Sequence, residues 1–263
     1  MSKLKNKWVV ITGASGGIGK EIAWKAAEKG ANVILAARSI EKLKELENAI
    51  TSRFGVTARS YQLDVSDIEQ VQQVFQRIFD ETNGIDVLVN NAGFGIFKEA
   101  HEVDVKEAKA MFDVNVMGLI ACTSAVLPHM KARKAGHIIN IASQAGKIAT
   151  PKSSVYSATK HAVLGYSNSL RMECARDGIF VTTVNPGPIA TNFFSIADES
   201  GTYVKNVQKF MLKPEYVAEK VVNSMLTNKR EINLPRWMNA GSILYTLFPR
   251  MVERLGKHAF FRK

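Results

Sequence analysis

Cysteine is scarce in this chain of 263 residues, and long apolar runs are missing. The 2 cysteines, Cys122 and Cys174, are far apart, so we expect no disulfide framework and favour reduced thiols in a cytoplasmic protein. The 5 histidines show no ligand spacing, so no metal site is expected. The opening apolar run, residues 8–11, is too short for a signal peptide. Residues 238–248 are interrupted by polar residues and fall well short of the ~20 apolar residues that span a bilayer.

Acidic residues are outnumbered, since 35 Lys and Arg face 24 Asp and Glu and leave a net charge of +11. Most basic residues are dispersed among acidic ones, so we expect no nucleic-acid partner. The exception is the C-terminal segment, residues 236–263, where 6 Lys and Arg accompany a single Glu. The segment also carries Trp237, Tyr245, Phe248, Phe260 and Phe261. It could pack on its own domain with a solvated basic face, contact a partner subunit, or make a peripheral contact with an anionic membrane surface.

Short runs of strand-forming residues alternate with longer amphipathic stretches along the chain. The patterns predict strands at residues 7–12, 32–36, 58–63, 86–90, 137–142, 180–185 and 231–234. They predict helices at residues 17–29, 40–53, 65–82, within 106–131, at 155–176 and at 214–227. Strands alternating with helices of this length indicate crossovers and a parallel sheet covered on both faces. We therefore predict one α/β domain over residues 1–263, with a doubly wound, mostly parallel sheet.

A glycine-rich turn, T-G-A-S-G-G-I-G at residues 12–19, follows the first predicted strand and runs directly into a helix. Glycines let the backbone approach a pyrophosphate closely, and the start of the helix attracts the anion. The turn is not a Walker A loop, because Ala14 stands at its first glycine and Glu21 at its final Ser/Thr. It is not G-x-G-x-x-G either, because Ile22 stands at the last glycine. The placement predicts a dinucleotide-binding turn rather than a turn without a ligand.

The second predicted strand ends in L-A-A-R-S at residues 35–39, without a carboxylate. A carboxylate there would bind the ribose hydroxyls of NAD and repel a 2′-phosphate. Arg38 instead offers a guanidinium to that phosphate, and Ser15 and Ser39 offer hydroxyl donors. The sequence therefore predicts NADP(H) rather than NAD(H), with an NAD-linked alcohol dehydrogenase as the alternative.

Tyr156 and Lys160 lie four residues apart on a predicted helix, so the phenol and the ammonium can face one cleft. A nearby cation favours the phenolate and lowers the pKa of a tyrosine from about 10. Tyr156 is thus a candidate general acid/base. Ser143 follows the strand at residues 137–142, where α/β folds place their ligands, and it can orient a substrate oxygen. Asn115 lies within a predicted helix, where it can serve the site or act as a buried structural amide.

Five blocks resemble the short-chain dehydrogenase/reductase family in their order along the chain. They are residues 12–19, N-N-A-G at residues 90–93, Asn115, Ser143 with Tyr156 and Lys160, and P-G-P-I-A-T at residues 186–191. The resemblance implies about seven parallel strands, with the cofactor across their carboxyl ends. It also implies that the protein is an oxidoreductase acting on CH–OH groups and assembles as a homodimer or homotetramer. A non-catalytic dinucleotide-binding sensor or scaffold is the alternative from another class.

The resemblance implies four catalytic positions. Tyr156 would be the general acid/base and Ser143 would bind the substrate oxygen. Lys160 would lower the pKa of the tyrosine and hold the nicotinamide ribose, and Asn115 would hold a proton-relay water. The predicted cofactor-binding residues are Gly13, Ser15, Gly17, Ile18, Gly19, Arg38, Ser39, Asp64, Val65, Asn91, Ala92, Gly93, Tyr156, Lys160, Pro186, Gly187, Ile189 and Thr191.

In the family, the region that follows the P-G-P-I-A-T block closes over the substrate. The corresponding residues 192–213 are rich in aromatic and apolar side chains, as are the residues after N-N-A-G. The relevant side chains are Phe94, Phe97, Phe193, Phe194, Tyr203, Val204 and Phe210. They predict an apolar carbonyl or alcohol substrate, such as a hydrophobic ketone or acyl chain, although the same residues could simply pack the lid.

Overall fold

A single seven-stranded sheet organises the protein. The computed structural model describes residues 2–198 and 201–260, with side chains described up to residue 256. The strands are β1 (Trp8–Thr12), β2 (Asn32–Ala37), β3 (Ala58–Gln62), β4 (Val87–Asn90), β5 (Gly136–Ile141), β6 (Ile179–Pro186) and β7 (Glu231–Leu234). Their order is β3-β2-β1-β4-β5-β6-β7, and every pairing is parallel. The predicted doubly wound parallel sheet is confirmed.

Helices cover both faces of the sheet. They are α1 (Gly17–Glu28), α2 (Ile40–Phe54), α3 (Ile68–Glu81), α4 (Val105–Phe112), α5 (Leu119–Arg133), α6 (Ser154–Glu173), α7 (Phe193–Ala197), α8 (Thr202–Val207), α9 (Pro214–Ser224), α10 (Arg236–Leu247) and α11 (Pro249–Phe260). One core packs α1, α2 and α9 against the sheet. The other core packs α3, α5 and α6 against the opposite face. Because both faces are covered, the central strands are almost entirely apolar and buried.

Two predicted helices differ from the structure near the site. The helix predicted at residues 65–82 begins at Ile68, because Asp67 caps it by accepting the Gln70 amide at 2.9 Å. Within the region predicted at residues 106–131, a π-helical segment, Asp113–Gly118, separates α4 from α5. Short π-helical segments often mark functional sites, and this one contains Asn115.

The helical run Val105–Arg133 is long and apolar enough to cross a membrane by length and composition. It also supplies buried side chains to the core around α3 and α6, including Cys122, Val126 and Met130. Core helices of globular domains share these properties, so the run is explained by its packing in this domain.

The C-terminal segment forms two helices on the domain. Helix α10 packs against β7 and against the 3₁₀ turn Gln144–Gly146, and α11 packs against α10. Of the aromatic and basic residues noted in this segment, Phe261, Arg262 and Lys263 lie outside the described residues. Residues 199 and 200, within the predicted lid region, also lie outside them.

Candidate active site

The predicted site residues converge on the edge formed by the carboxyl ends of the strands. The chain leaves β3 at one edge and passes β2 and β1 to enter β4, so the strand order reverses beside β1. Ligands of open α/β sheets bind at such a switch point. The glycine-rich turn follows β1, the N-A-G residues follow β4, and Ser143 follows β5. The same edge of the sheet also carries Arg38 after β2, Asp64 after β3 and the residues from Pro186 onward at the end of β6.

The glycine-rich turn has the backbone that a pyrophosphate cradle requires. Gly13 has φ +67° and Gly17 has φ +52°, in the left-handed region that favours glycine. A Cβ on Gly13 would lie 2.9 Å from Cα of Ala92, and a Cβ on Gly19 would overlap the Gly13 carbonyl oxygen. Thr191 lies across the turn, with Cγ2 3.5 Å from the position of a Cβ on Gly17. The turn is therefore tightly packed and opens α1 at Gly17, which fits an anionic dinucleotide.

The N-A-G residues lock this turn in place. Nδ2 of Asn91 donates to the Thr12 carbonyl at 2.9 Å and to the Gly13 carbonyl at 3.2 Å. In return, Oγ1 of Thr12 accepts the amides of Asn91 and Ala92, both at 3.0 Å. The β1 turn and the β4 end are thus held as one unit, with Gly93 exposed beside them.

Arg38 is exposed directly after β2, at the start of α2. Its carbonyl accepts a bond from Gln62, and its guanidinium has no ion-pair partner among the described residues. Ser39 occupies the N-cap position of α2, yet its side chain makes no capping bond. Both side chains are therefore available to an anion. Asp64, after β3, instead accepts the Ser66 amide at 3.0 Å, and Val65 next to it is buried.

The structure brings Ser143 and Tyr156 together. The Ser143 side chain lies next to the Tyr156 phenol, and Oγ of Ser143 accepts the Ala145 amide at 3.0 Å. Sequence reasoning predicts a lowered pKa for this tyrosine. In the structure burial dominates and raises the pKa of Tyr156 to about 12, with the neighbouring Ser143 hydroxyl acting in the opposite direction. Tyr156 is therefore held as a neutral phenol that can donate a proton.

Lys160 is 6% exposed, and its ammonium lies 5.7 Å from the centre of the Tyr156 ring. Its Nζ donates to the Ile141 carbonyl at 3.0 Å. Burial lowers the pKa of Lys160 to about 8. No described carboxylate forms an ion pair with it, so the cation is poised for another partner in the cleft.

Both N–H donors and the oxygen of the Asn115 side chain have partners within the protein. Its Nδ2 donates to the Phe94 carbonyl at 2.8 Å and to Oγ1 of Thr159 at 3.1 Å. Its Oδ1 accepts the Phe94 amide at 2.9 Å. Thr159, in turn, donates to the Tyr156 carbonyl at 2.7 Å. Asn115 thus ties the loop after β4 to helix α6, which carries Tyr156 and Lys160, and this is the structural role that the sequence left open.

Aromatic side chains surround the phenol. The Phe97 ring lies 5.8 Å from Tyr156 and 5.2 Å from Tyr203, between ring centres, and Phe193 lies 5.7 Å from Tyr156. Phe194 packs against Phe193 at 5.3 Å. The Phe97 amide donates to the Ala197 carbonyl at 2.8 Å, which joins the loop after β4 to the lid. Phe210 lies apart from this cluster, against Trp237 at 6.3 Å.

Sequence reasoning missed a buried polar ladder behind the site. Asn90 and Asn140 are register partners on β4 and β5, and Nδ2 of Asn90 donates to Oδ1 of Asn140 at 2.9 Å. Asn90 also bonds Thr123 on α5, and Asn140 bonds Ser167 on α6. A polar residue near the end of each apolar strand was the available signal. The ladder fixes α5 and α6 against the strands that carry the site.

A glycine-rich turn of the kind that binds phosphate groups lies at one edge of a doubly wound parallel sheet. The cluster of Ser143, Tyr156 and Lys160 lies at the same edge. This arrangement defines a Rossmann-type, dinucleotide-binding oxidoreductase. The model of the short chain dehydrogenase family matches residues 7–200. The chain belongs to this family.

Individual proteins show the same relationship. The uncharacterized oxidoreductase YxnA of Bacillus subtilis is 35% identical over 97% of this chain and 72% of its own length. A metagenomic short-chain oxidoreductase solved with NADP is 32% identical, with a TM-score of 0.76 over 88% of this chain and 97% of that one. A Burkholderia phymatum short-chain dehydrogenase/reductase solved with NAD has a TM-score of 0.87 over 95% and 96% of the two chains. At 24% identity, this last likeness concerns the fold alone.

Proposed function

We propose that the protein is an NADP(H)-dependent oxidoreductase that interconverts a carbonyl and an alcohol, with Tyr156 as general acid/base. The placement of the buried Tyr156 phenol next to the Ser143 side chain, with the Lys160 ammonium 5.7 Å from the centre of the phenol ring, carries the proposal. A scaffold without catalysis would not require this constellation. The tight glycine turn supports a dinucleotide at the same sheet edge.

A nicotinamide dinucleotide held at the glycine-rich turn would supply the hydride for reduction of the carbonyl carbon, or accept it in the reverse direction. The Ser143 hydroxyl accepts the Ala145 amide, so its own proton is free to bond the substrate oxygen. Tyr156 delivers its proton to that oxygen during reduction, and its raised pKa keeps the phenol protonated beforehand. The Lys160 ammonium then stabilises the phenolate that remains. In the reverse direction the same phenolate removes the alcohol proton.

Replacing the phenol tests the acid/base role. We expect Tyr156→Phe to bind the dinucleotide normally but to lose turnover by about 10²–10⁴-fold, the usual contribution of positioned acid–base catalysis. Tyr216→Phe is the matched control, because Tyr216 is 42% exposed on α9. Initial rates and cofactor titration by fluorescence separate the two effects. Unchanged turnover in Tyr156→Phe would refute the role.

The preference for NADP(H) is supported by the exposed Arg38 guanidinium and by the lack of an acidic residue at residues 35–39. A charge-assisted bond to the 2′-phosphate is worth about 1.5–3 kcal/mol, or roughly tenfold to a hundredfold in affinity. Arg38→Gln should therefore raise the KM for NADPH by that factor and leave the KM for NADH nearly unchanged. Arg53→Gln, at the exposed other end of α2, is the control. A wild-type preference for NADH would contradict the proposal and favour the NAD-linked alternative.

The aromatic cluster around Tyr156 supports an apolar carbonyl or alcohol as the substrate. A panel of carbonyl compounds, monitored by NADPH oxidation, should show kcat/KM rising with apolar chain length. The apolar assignment fails if short, polar carbonyls are the better substrates. We also propose that the protein is cytoplasmic and forms a homodimer or homotetramer, which sedimentation velocity and cell fractionation test directly.

A further inference from the structure

Helix α10 presents several large apolar side chains to solvent. Trp237, Ile243, Leu244 and Leu247 share one face of the helix and are 62%, 54%, 44% and 65% exposed. Ser242, on the opposite face, is 3% exposed. A surface helix of a globular protein ordinarily shows the reverse arrangement. The packing of this domain therefore does not explain the apolar residues of α10.

Neighbouring residues extend this surface on both sides. Phe248, Met251 and Leu255 follow at the α10–α11 junction and along α11, and Leu255 is 78% exposed. At the other end, the exposed Phe210 ring stacks edge-on against Trp237 at 6.3 Å between ring centres. We call these eight side chains the C-terminal apolar face. Large exposed apolar side chains gathered on two packed helices mark an interaction site.

Positive charge borders the C-terminal apolar face. Arg236, Arg250 and Arg254 are exposed, and none forms an ion pair within the part of the chain that the structure describes. The single acidic residue of the two helices, Glu253, accepts a bond from the Tyr245 hydroxyl at 3.2 Å. Apolar and aromatic side chains beside unpaired arginines match the boundary between acyl chains and anionic headgroups.

We propose that the C-terminal apolar face docks the protein on an anionic lipid bilayer as a peripheral contact. A second copy of this chain fits the face less well. A two-fold contact through α10 and α11 would bring the arginines of both copies together, and like charges at an interface are repulsive. Anionic headgroups would neutralise the same arginines. The proposal concerns a surface outside the catalytic cleft and does not depend on the reaction.

Vesicle co-sedimentation of the full chain tests the proposal. Vesicles of phosphatidylglycerol with phosphatidylcholine should pellet the protein, whereas pure phosphatidylcholine vesicles should pellet much less of it. Moving a large apolar side chain out of water changes partitioning by about tenfold or more. The double variant Leu244→Gln/Leu247→Gln should therefore lose at least ~100-fold of its partition coefficient. Arg250→Gln/Arg254→Gln should lose the preference for the anionic lipid.

Matched controls keep the outcome clear. Val105→Gln/Met172→Gln removes side chains that are 81% and 72% exposed elsewhere, and it should pellet like the wild type. Circular dichroism and turnover with a soluble carbonyl compound verify that each variant is folded. The proposal is overturned if the wild type does not pellet with anionic vesicles. It is also overturned if Leu244→Gln/Leu247→Gln pellets as well as the control Val105→Gln/Met172→Gln. A third outcome would overturn it as well: the wild type does not bind vesicles but is an oligomer, and Leu244→Gln/Leu247→Gln dissociates that oligomer. A second copy of the chain would then occupy the C-terminal apolar face.

Discussion

Burial of the Lys160 ammonium has a stability cost that a single substitution can expose. The chain keeps a cation in the cleft where burial lowers its pKa from 10.5 to about 8. Met has nearly the same length and no charge, so Lys160→Met removes the buried cation with little change in volume. We expect this variant to be inactive and yet more stable than the wild type at neutral pH, because active-site residues are selected for function rather than for stability.

The size of the effect follows from the shift in pKa. A decrease from 10.5 to about 8 corresponds to a penalty of about 3 kcal/mol at pH 7. The variant also loses the bond from Nζ to the Ile141 carbonyl, and leaving that carbonyl without a donor costs about 1–2 kcal/mol. The expected net gain is about 1–2 kcal/mol at pH 7.

The pH dependence has a definite sign. Below the folded pKa of about 8, the lysine is charged in both folded and unfolded chains, and the folded state carries the full penalty. As the pH rises from about 8 to 10.5, the folded chain loses its proton first and the wild type regains stability. The stability difference in favour of Lys160→Met should therefore shrink across this window.

Urea unfolding followed by tryptophan fluorescence, at pH values from 7 to 10.5, measures this difference directly. Lys106→Met is the control, because Lys106 is exposed on α4 and should show a change within about 0.5 kcal/mol at every pH. The reasoning is refuted if Lys160→Met is less stable than the wild type at pH 7, or if the gap stays constant as the pH rises.

Three further predictions concern buried groups. Burial lowers the pKa of His137 to about 4, so on acidification the unfolded chain takes up a proton before the folded chain does. The free energy of unfolding should therefore fall by about 3 kcal/mol between pH 6.5 and 4. In urea unfolding, His137→Gln should lose less stability over this range than the wild type, and an equal loss would contradict the prediction. Asn115→Ala removes the side chain that bonds the amide and the carbonyl of Phe94, so it should lower the free energy of unfolding in urea by about 3 kcal/mol and also lower turnover. Stability near that of the wild type would exclude the positioning role. Gly19→Ala should weaken dinucleotide binding in a fluorescence titration by at least about tenfold, because the added methyl group would overlap the turn. Gly16→Ala is the control, because a Cβ at Gly16 meets open space, and it should bind normally. Equal binding by the two variants would count against the close-packed cradle.

Much of the fold was predictable because its signals are local. Each strand of the parallel sheet is a short apolar run, and each crossover helix has its own periodicity, as in Leu43, Leu46 and Ile50 of α2. The alternation of strands and helices also indicates crossovers and a parallel sheet covered on both faces. The pairing of Tyr156 with Lys160 was also local, because residues four apart share a helix face.

Features that depend on distant residues were not predictable in the same way. The Asn115 amide is satisfied by Phe94 and Thr159, and only the tertiary structure brings these three together. The Tyr156 pKa was predicted to fall because Lys160 is near in sequence, yet burial by surrounding elements raises it. Helix α3 begins later than predicted because the Asp67 cap competes with the helical pattern before it.

The sequence by itself determined the strands and helices of the sheet, the glycine turn and the pairing of Tyr156 with Lys160, since each is encoded in periodicity or spacing over a few residues. The tertiary structure alone decided which groups are buried, which polar atoms already have partners, and which face of α10 meets solvent. The burial of a side chain and the identity of its hydrogen-bond partners depend on elements far apart in the chain, so no local sequence pattern predicts them. For this reason the candidate site residues were visible in the sequence, while the raised pKa of Tyr156 and the C-terminal apolar face emerged only from the packed molecule.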